Sequence, residues 1–242
     1  MITNRLAVVT GAGRAAGIGF EVARQLSAIG ITVILTARDG EAAKARADEL
    51  AGLGLPVVGR VLDVNDEASV RALAEVIGRD HGRLDILINN AAATGAYGEV
   101  AANADLAVAR DTLETTLFGS WRVVQALLLF IRKSDHPRIV NVSSGAGSHA
   151  DKVFGLTTDN AMGVSYAVSK AALNALTARL AHENPGVLIN AVCPGFTATF
   201  EGGEAMGARP VKDGAASVVW AALLADDGPT GGFFRDGAPL GW

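Results

Sequence analysis

Cysteine and spaced histidine ligands are nearly absent from this chain of 242 residues. Cys193 is the only cysteine, so neither an intrachain disulfide nor a cysteine-based metal cluster can form. The four histidines show no pairing at metal-ligand spacing. We therefore expect no structural zinc and no metal ion in the functional site.

The chain also lacks an excess of basic residues and a long apolar run. Its formal net charge is −4, which provides no positive field for a nucleic-acid backbone. No apolar stretch approaches the ~20 residues that span a bilayer. Residues 1–5 lead straight into an apolar strand, without the long apolar core of a secretion signal. We expect a cytoplasmic protein that binds neither nucleic acid nor membrane.

Short apolar runs rich in β-branched residues alternate with alanine-rich stretches of helical period. This alternation predicts an α/β fold with a doubly wound parallel sheet, in a single domain over 1–242. The expected strands are 5–10, 31–36, 56–62, 84–89, 137–143, 187–193 and 231–235. The expected helices lie near 17–29, 39–53, 66–81, 104–133, 164–183 and 210–225. The two segments without either pattern, 145–163 and 195–209, follow strand ends and should wall the substrate site.

A glycine-rich stretch from Thr10 to Gly19 separates the first strand from the first helix. Glycines there allow a tight turn and let a pyrophosphate approach the N–H groups at the positive end of the helix. A purely structural turn explains the same pattern, but its place after strand one favours nucleotide binding. The candidate cofactor residues in this stretch are Gly11, Arg14, Gly17, Ile18 and Gly19.

Residues at the ends of the next strands suit the same ligand. Asp63 and Val64 end strand three, and Asn90 and Ala91 follow strand four, where they line an adenine pocket or cap strands. Strand two ends at Arg38 without a carboxylate placed to accept both ribose hydroxyls. Arg38 and Arg14 can instead bind a 2′-phosphate, although a solvated arginine explains Arg38 equally well. We predict that NADP(H) is preferred over NAD(H).

Tyr166 and Lys170 lie four residues apart in a predicted helix. Side chains at this spacing share one helix face and can act on one substrate. A phenol titrates near ~10, so it needs a nearby positive charge to stabilise its anion. Lys170 supplies that charge, and Ser144 at the end of an apolar run adds a hydroxyl.

Together these motifs resemble the short-chain dehydrogenase/reductase family, most closely its carbonyl-reductase-like members, from Leu6 to Trp242. The resemblance implies a Rossmann-type fold in which Tyr166 protonates the substrate oxygen as nicotinamide delivers hydride to carbon. It implies that Ser144 hydrogen-bonds that oxygen and that Lys170 lowers the pKa of the tyrosine and holds the ribose. Further cofactor contacts are implied along the stretch after strand six, at Pro194, Gly195, Thr197 and Thr199.

Four features depart from the family pattern. The glycine loop is two residues longer beside Arg14, and Ala92 stands where the family has glycine. Thr116 replaces the asparagine that supports a water linked to the lysine, which makes it a candidate catalytic position. The spacing from Ser144 to Tyr166 is also longer than usual.

These observations predict an NADP(H)-dependent reductase of a ketone, aldehyde or quinone. The alternative is an NADP(H)-binding regulator of the same fold with weak turnover. A nucleotide-sugar epimerase needs a larger C-terminal domain, and a serine hydrolase needs the Gly-x-Ser-x-Gly turn that Ser144 lacks. A homo-oligomer is also expected, with contacts from the helices around Trp121, Val124, Leu128 and Ile131 and from Val164 to His182.

Overall fold

A computed structural model describes residues 4–158 and 162–242, and within them it forms one eight-stranded sheet. The seven predicted strands are all present, and an eighth follows them at the C-terminal edge. Strand bounds are β1 Leu6–Val9, β2 Thr32–Ala37, β3 Val57–Val61, β4 Ile86–Asn89, β5 Arg138–Val142, β6 Leu188–Val192, β7 Phe233–Arg235 and β8 Ala238–Pro239.

Seven α-helices are described between these strands. Their bounds are α1 Ile18–Ala28, α2 Gly40–Ala51, α3 Glu67–Asp80, α4 Leu106–Leu113, α5 Ser120–Ile131, α6 Val164–Glu183 and α7 Val211–Ala222. The single helix predicted over 104–133 is wrong in one respect, because a π-helical turn at Glu114–Gly119 separates α4 from α5. Such turns insert one residue into the helical ladder and are frequent at functional sites.

The strand order is β3-β2-β1-β4-β5-β6-β7-β8. All neighbouring pairs are parallel except β7 with β8, so the predicted parallel sheet is confirmed up to its last, unpredicted strand. From β1, the strands β2 and β3 are added toward one edge of the sheet, and β4 to β8 are added toward the other edge. The order of the strands therefore switches between β1 and β4. In such a sheet, ligands bind beyond the carboxyl ends of the strands at this switch point.

Alternate residues of each buried strand face opposite helical layers. In β1, Ala7 and Val9 pack in a cluster with α1 and α7, whereas Leu6 and Val8 pack in a second cluster with α3, α5 and α6. Burial on both faces explains why the strands are continuously apolar. No helix within the described residues is long and apolar enough to cross a membrane.

Candidate active site

A cavity of about 730 Å³ opens at the carboxyl ends of the strands, over the switch point between β1 and β4. A second cavity of about 190 Å³ adjoins it. Tyr166 lines both cavities, as do Ser143, Pro194 and Thr199. The geometry therefore offers a large compartment for one ligand and a small compartment for another, with the Tyr166 phenol between them.

The glycine loop forms one end of the larger cavity. A Cβ atom on Gly11, whose φ is +65°, would lie 2.7 Å from the Cα atom of Ala91, and one on Gly19 would lie 2.5 Å from Nδ2 of Asn90. Gly17 is the N-cap residue of α1, and Ile18 begins the helix. The backbone of this loop is thus as close to its neighbours as glycine permits, and the N-terminus of α1 follows directly, where a helix can bind an anion. Gly13, which the sequence analysis did not select, also lines the cavity.

Asn90 organises the loop as well as lining the cavity. Its Nδ2 atom donates to the carbonyls of Thr10 at 2.8 Å and Gly11 at 3.0 Å. The backbone N–H groups of Asn90 and Ala91 both donate to Oγ1 of Thr10, at 2.9 Å and 3.0 Å. These contacts join the end of β4 to the end of β1. The Asn90 side chain therefore holds the glycine loop in place, in addition to lining the cavity.

Two exposed arginines lie at the wall of the larger cavity. Arg14 and Arg38 both line it, and among the described residues neither forms an ion pair. The longer glycine loop has not taken Arg14 away from the cavity. The nearest carboxylate in sequence, Asp39, caps α2 by accepting from the N–H groups of Glu41 at 2.9 Å and Ala42 at 3.4 Å. A phosphate at this end would therefore meet two guanidinium groups and no competing carboxylate from the end of β2.

Asp63 and Val64 differ in their position relative to the larger cavity. Val64 lines the larger cavity, together with Leu62. Asp63 does not line it, and its Oδ1 atom instead accepts a 2.9 Å hydrogen bond from the N–H of Asn65. The Asp63 carboxylate closes the turn before α3, and its contact with the cofactor stays a prediction.

Tyr166, Ser144 and Lys170 are brought together as expected. The Ser144 side chain lies close enough to the Tyr166 phenol to lower its pKa. Lys170 is 2% exposed, and its Nζ atom donates to the Val142 carbonyl at 2.7 Å and lies 5.6 Å from the centroid of the Tyr166 ring. Because α6 carries both residues and β5 ends beside it, helix and strand together fix the three side chains.

Burial shifts the pKa values of Tyr166 and Lys170 in opposite directions. Burial raises the pKa of Tyr166 to about 12, and the neighbouring Ser144 side chain offsets only part of this rise. Burial lowers the pKa of Lys170 to about 8. The net effect of burial and Ser144 is to raise the pKa of Tyr166, and the lowering by Lys170 that the resemblance implies stays a prediction. The ammonium lies over the ring face and bonds to a backbone carbonyl.

The two consecutive serines have separate partners. The Ser143 hydroxyl is buried and donates to Oδ1 of Asn174 on α6 at 2.5 Å. Ser144 faces Tyr166, and its Oγ atom also accepts from the N–H of Ala146 at 3.2 Å. Only Ser144 is thus available to a ligand oxygen beside the phenol, while Ser143 anchors the strand end to α6.

Thr116 lies outside both cavities, within the π-helical turn. Its side chain is fully buried, and its Oγ1 atom accepts from the N–H of Ala93 at 3.2 Å and lies 3.5 Å from the Ala93 carbonyl. Thr116 therefore holds the segment that follows β4 and does not itself touch the cavity. Any effect of Thr116 on catalysis would therefore be indirect, because its hydroxyl positions the backbone of Ala93.

The stretch after β6 is divided between the cavities. Pro194 and Thr199 line both, whereas Gly195 and Thr197 line only the smaller one. The Thr197 hydroxyl donates within the stretch, to the carbonyl of Pro194 at 3.0 Å. Gly195 adopts φ +73°, and a Cβ atom there would lie 3.0 Å from Cζ of Arg209. Thr197 and Arg209 thus shape this loop, and Pro194 and Thr199 present it to a ligand.

Aromatic side chains form much of the smaller cavity. Four of these residues were not selected from the sequence: Tyr97, Phe154, Phe196 and Phe200. The rings of Phe154 and Phe196, and those of Phe196 and Phe200, have centroids 6.3 Å apart. The segments 145–163 and 195–209 were expected to wall the site, and residues from both segments line the smaller cavity. Residues 159–161 lie outside the description. Phenylalanine in an otherwise small-residue loop was the signal that could have found this wall.

Comparison with known proteins identifies the family. A sequence profile of the short chain dehydrogenase family matches residues 5–206. The chain is 34% identical to a (+)-neomenthol dehydrogenase of Arabidopsis thaliana over 287 aligned positions, which cover 96% of each protein. The chain belongs to the short-chain dehydrogenase/reductase family. It is therefore an oxidoreductase, as the named dehydrogenases and reductases of that family are.

Solved structures of short-chain dehydrogenases and reductases share the fold. The salutaridine reductase of Papaver somniferum superposes with a TM-score of 0.81 at 32% identity, over 96% of this chain and 100% of that one. An actinorhodin polyketide ketoreductase variant with NADPH gives 0.82 at 26% identity, over 96% of this chain and 95% of that one. That ketoreductase structure contains NADPH.

Proposed function

We propose that this protein reduces a neutral, apolar ketone, aldehyde or quinone with NADPH. The observation that carries the proposal is the Tyr166 phenol, which lies beside Ser144 and lines both the large and the small cavity. A proton donor between a nucleotide compartment and a substrate compartment suits the reduction of a carbonyl group.

The side chains divide the work of that reaction. When bound, NADPH supplies a hydride to the carbonyl carbon. Tyr166 transfers its phenolic proton to the carbonyl oxygen, and Ser144 donates a hydrogen bond to the same oxygen, where charge develops. Burial raises the pKa of the phenol to about 12, so it stays protonated at neutral pH. The Lys170 ammonium, over the Tyr166 ring, stabilises the phenolate that remains.

The lining of the smaller cavity supports a neutral substrate. Among its described residues, none carries a charged side chain, and five aromatic rings supply apolar surface. A carboxylate placed there would lose its hydration without gaining a partner, which is costly. The names of the relatives, neomenthol dehydrogenase and salutaridine reductase, support a small-molecule substrate.

NADPH consumption with matched carbonyl compounds tests the proposal. Acetophenone and phenylglyoxylate differ by a methyl group against a carboxylate, and benzaldehyde, decalone and phenanthrenequinone extend the neutral set. We expect turnover with members of the neutral set and little or none with phenylglyoxylate. Preference for the carboxylate would contradict the assigned substrate class.

Tyr166→Phe separates an enzyme from a binding protein. This variant keeps the ring and removes the proton donor, so most turnover should disappear while the NADPH Kd stays nearly unchanged. Retention of near-normal turnover would overturn the mechanism. Tight NADPH binding by the wild-type chain, with no turnover of any neutral carbonyl, would instead select the regulatory alternative.

A further inference from the structure

Arg235, the last residue of β7, is bound to two groups behind the site. Its Nε and Nη2 atoms lie 3.4 Å and 3.3 Å from Sγ of Cys193. Nη2 also forms an ion pair with Oδ2 of Asp151. The guanidinium is a rigid planar donor, so simultaneous binding of both partners fixes their relative position.

The Cys193 sulfur is a shared acceptor for two site loops. It accepts from the N–H of Gly145 at 3.1 Å and from that of Gly195 at 3.4 Å. Gly145 directly follows Ser144, and Gly195 directly follows Pro194. A displacement of the sulfur would therefore move the serine loop and the Pro194 loop together.

Asp151 extends the same set of contacts to the aromatic wall. Its Oδ1 atom accepts from the N–H groups of Val153 at 2.9 Å and Phe154 at 3.0 Å. Cζ of Arg235 lies 6.0 Å from the centroid of the Phe154 ring. Burial raises the pKa of Asp151, but these N–H groups and Arg235 outweigh it and hold the pKa below its ordinary value. The carboxylate is thus charged and fully used by its partners at neutral pH.

The remaining space around Gly145 is also filled. A Cβ atom on Gly145 would lie 2.6 Å from Nη2 of Arg235, and the Asp151 carboxylate is the nearest group. The ion pair therefore packs directly on the backbone that carries Ser144. No side chain could be added there without moving Arg235 or Asp151.

We propose that Arg235 is a positioning residue that holds Ser144, the Pro194 loop and the Phe154 wall in one arrangement. This inference rests on the proposed function. Arg235 touches neither cavity, so it acts through Cys193 and Asp151. A misplacement of about 1 Å at reacting groups can cost about 100-fold in rate. Loss of the Arg235 contacts should therefore slow the chemical step more than it weakens cofactor binding.

The test compares two arginines replaced by methionine, which keeps a long side chain but donates no hydrogen bond. Arg235→Met is the test variant. Arg138→Met is the matched control, since Arg138 is 2% exposed and paired with Asp226 but begins β5 at the opposite end of the sheet. Both variants should lower the melting temperature. The rate of NADPH oxidation in a single turnover is measured with the fastest neutral carbonyl of the set above.

We expect Arg235→Met to slow the single turnover about tenfold to a hundredfold, with an NADPH Kd within about threefold of wild type. Arg138→Met should leave the single-turnover rate within about twofold of wild type. Arg235→Lys should recover part of the rate, since one ammonium can bind either Cys193 or Asp151. Asp151→Asn should slow it less than Arg235→Met, because the contact from Arg235 to Cys193 remains.

Several outcomes would overturn the inference. A wild-type single-turnover rate in Arg235→Met would do so, as would an equal loss of rate in Arg138→Met. If Arg235→Met does not fold, unchanged rates in both Arg235→Lys and Asp151→Asn would be decisive instead. Failure of the proposed function is distinguishable, because it appears as turnover by Tyr166→Phe or as no turnover by the wild-type chain.

Discussion

The ammonium of Lys170 donates a hydrogen bond of 2.7 Å to the carbonyl of Val142, the last residue of β5. This contact ties the catalytic helix α6 to the centre of the sheet and keeps the lysine beneath the Tyr166 ring. It also leaves the ammonium buried, which lowers its pKa to about 8. The charge of Lys170 is therefore lost within an experimentally accessible pH range.

We predict that kcat/KM for NADPH falls as the pH rises through about 8. The reduction needs Lys170 protonated and Tyr166 protonated, and the lysine titrates first because the pKa of the tyrosine is about 12. Activity should thus be present below pH 8 and lost above it. The pH dependence of kcat/KM reports groups of the free enzyme, so it is the right profile to measure. Full recovery of activity after return to neutral pH is the control for unfolding, and a profile that stays flat well above pH 8 would contradict the assignment.

We predict a preference for NADPH over NADH of about tenfold to a hundredfold in kcat/KM, because charge-assisted hydrogen bonds contribute about 1.5–3 kcal/mol. Arg38 lines the larger cavity, and Asp39 is occupied at the N-cap of α2. Arg38→Ala should remove most of the preference. Arg60→Ala is the control, since Arg60 is an exposed arginine of the neighbouring strand that does not line the cavity. Equal kcat/KM for the two nucleotides in the wild-type protein would refute the prediction.

The sequence predicted the elements that depend on local periodicity and on the ends of parallel strands. β-branched runs set the strands, and strand ends at one edge of the sheet brought Gly11, Asn90, Ser144 and Pro194 together. Such relationships need no knowledge of side-chain packing, because the direction of the strands alone fixes them.

Other features depend on packing and had no local pattern. The π-helical turn at Glu114–Gly119 differs from an α-helix by one residue in its ladder, which apolar spacing does not record. Arg235 meets partners 42 and 84 residues away in sequence, Cys193 and Asp151. The pKa of Tyr166 is set mainly by burial, which the four-residue spacing to Lys170 could not predict.

Thr116 allows a direct test of whether the π-helical turn supports catalysis. Asparagine can keep both contacts to Ala93, since its amide donates and its carbonyl accepts, and it adds a second donor hydrogen. We predict that Thr116→Asn raises kcat by less than the ~10²–10⁴ typical of a whole general acid, with little change in NADPH affinity. Thr116→Val is the matched control of similar shape, which loses both contacts and should lower kcat and stability. An unchanged or lower kcat in Thr116→Asn would show that Thr116 only packs in the helix.

The helix pair expected to form subunit contacts is only partly available for them. Val124 and Ile131 are buried in the core, at 1% and 0% exposure, so these two residues pack inside the subunit and cannot form the contact. A different stripe faces outward, with Phe118, Trp121 and Leu129 at 45%, 39% and 53% exposure. Their spacing of three and eight residues places them on one side of the helix, and such apolar stripes mark interaction surfaces.

We predict that this stripe forms a homodimer contact, so that light scattering at micromolar concentration gives about twice the chain mass of 24.8 kDa. Leu129→Glu should yield the monomer, because the contact would bury an unpaired carboxylate on both copies. Leu53→Glu is the control, since Leu53 is 69% exposed and follows α2, which packs on the opposite face of the sheet. Leu53→Glu should remain dimeric. A wild-type protein that is monomeric at micromolar concentration would remove the prediction, whereas dissociation by both variants would show that the loss of the dimer is not specific to this stripe.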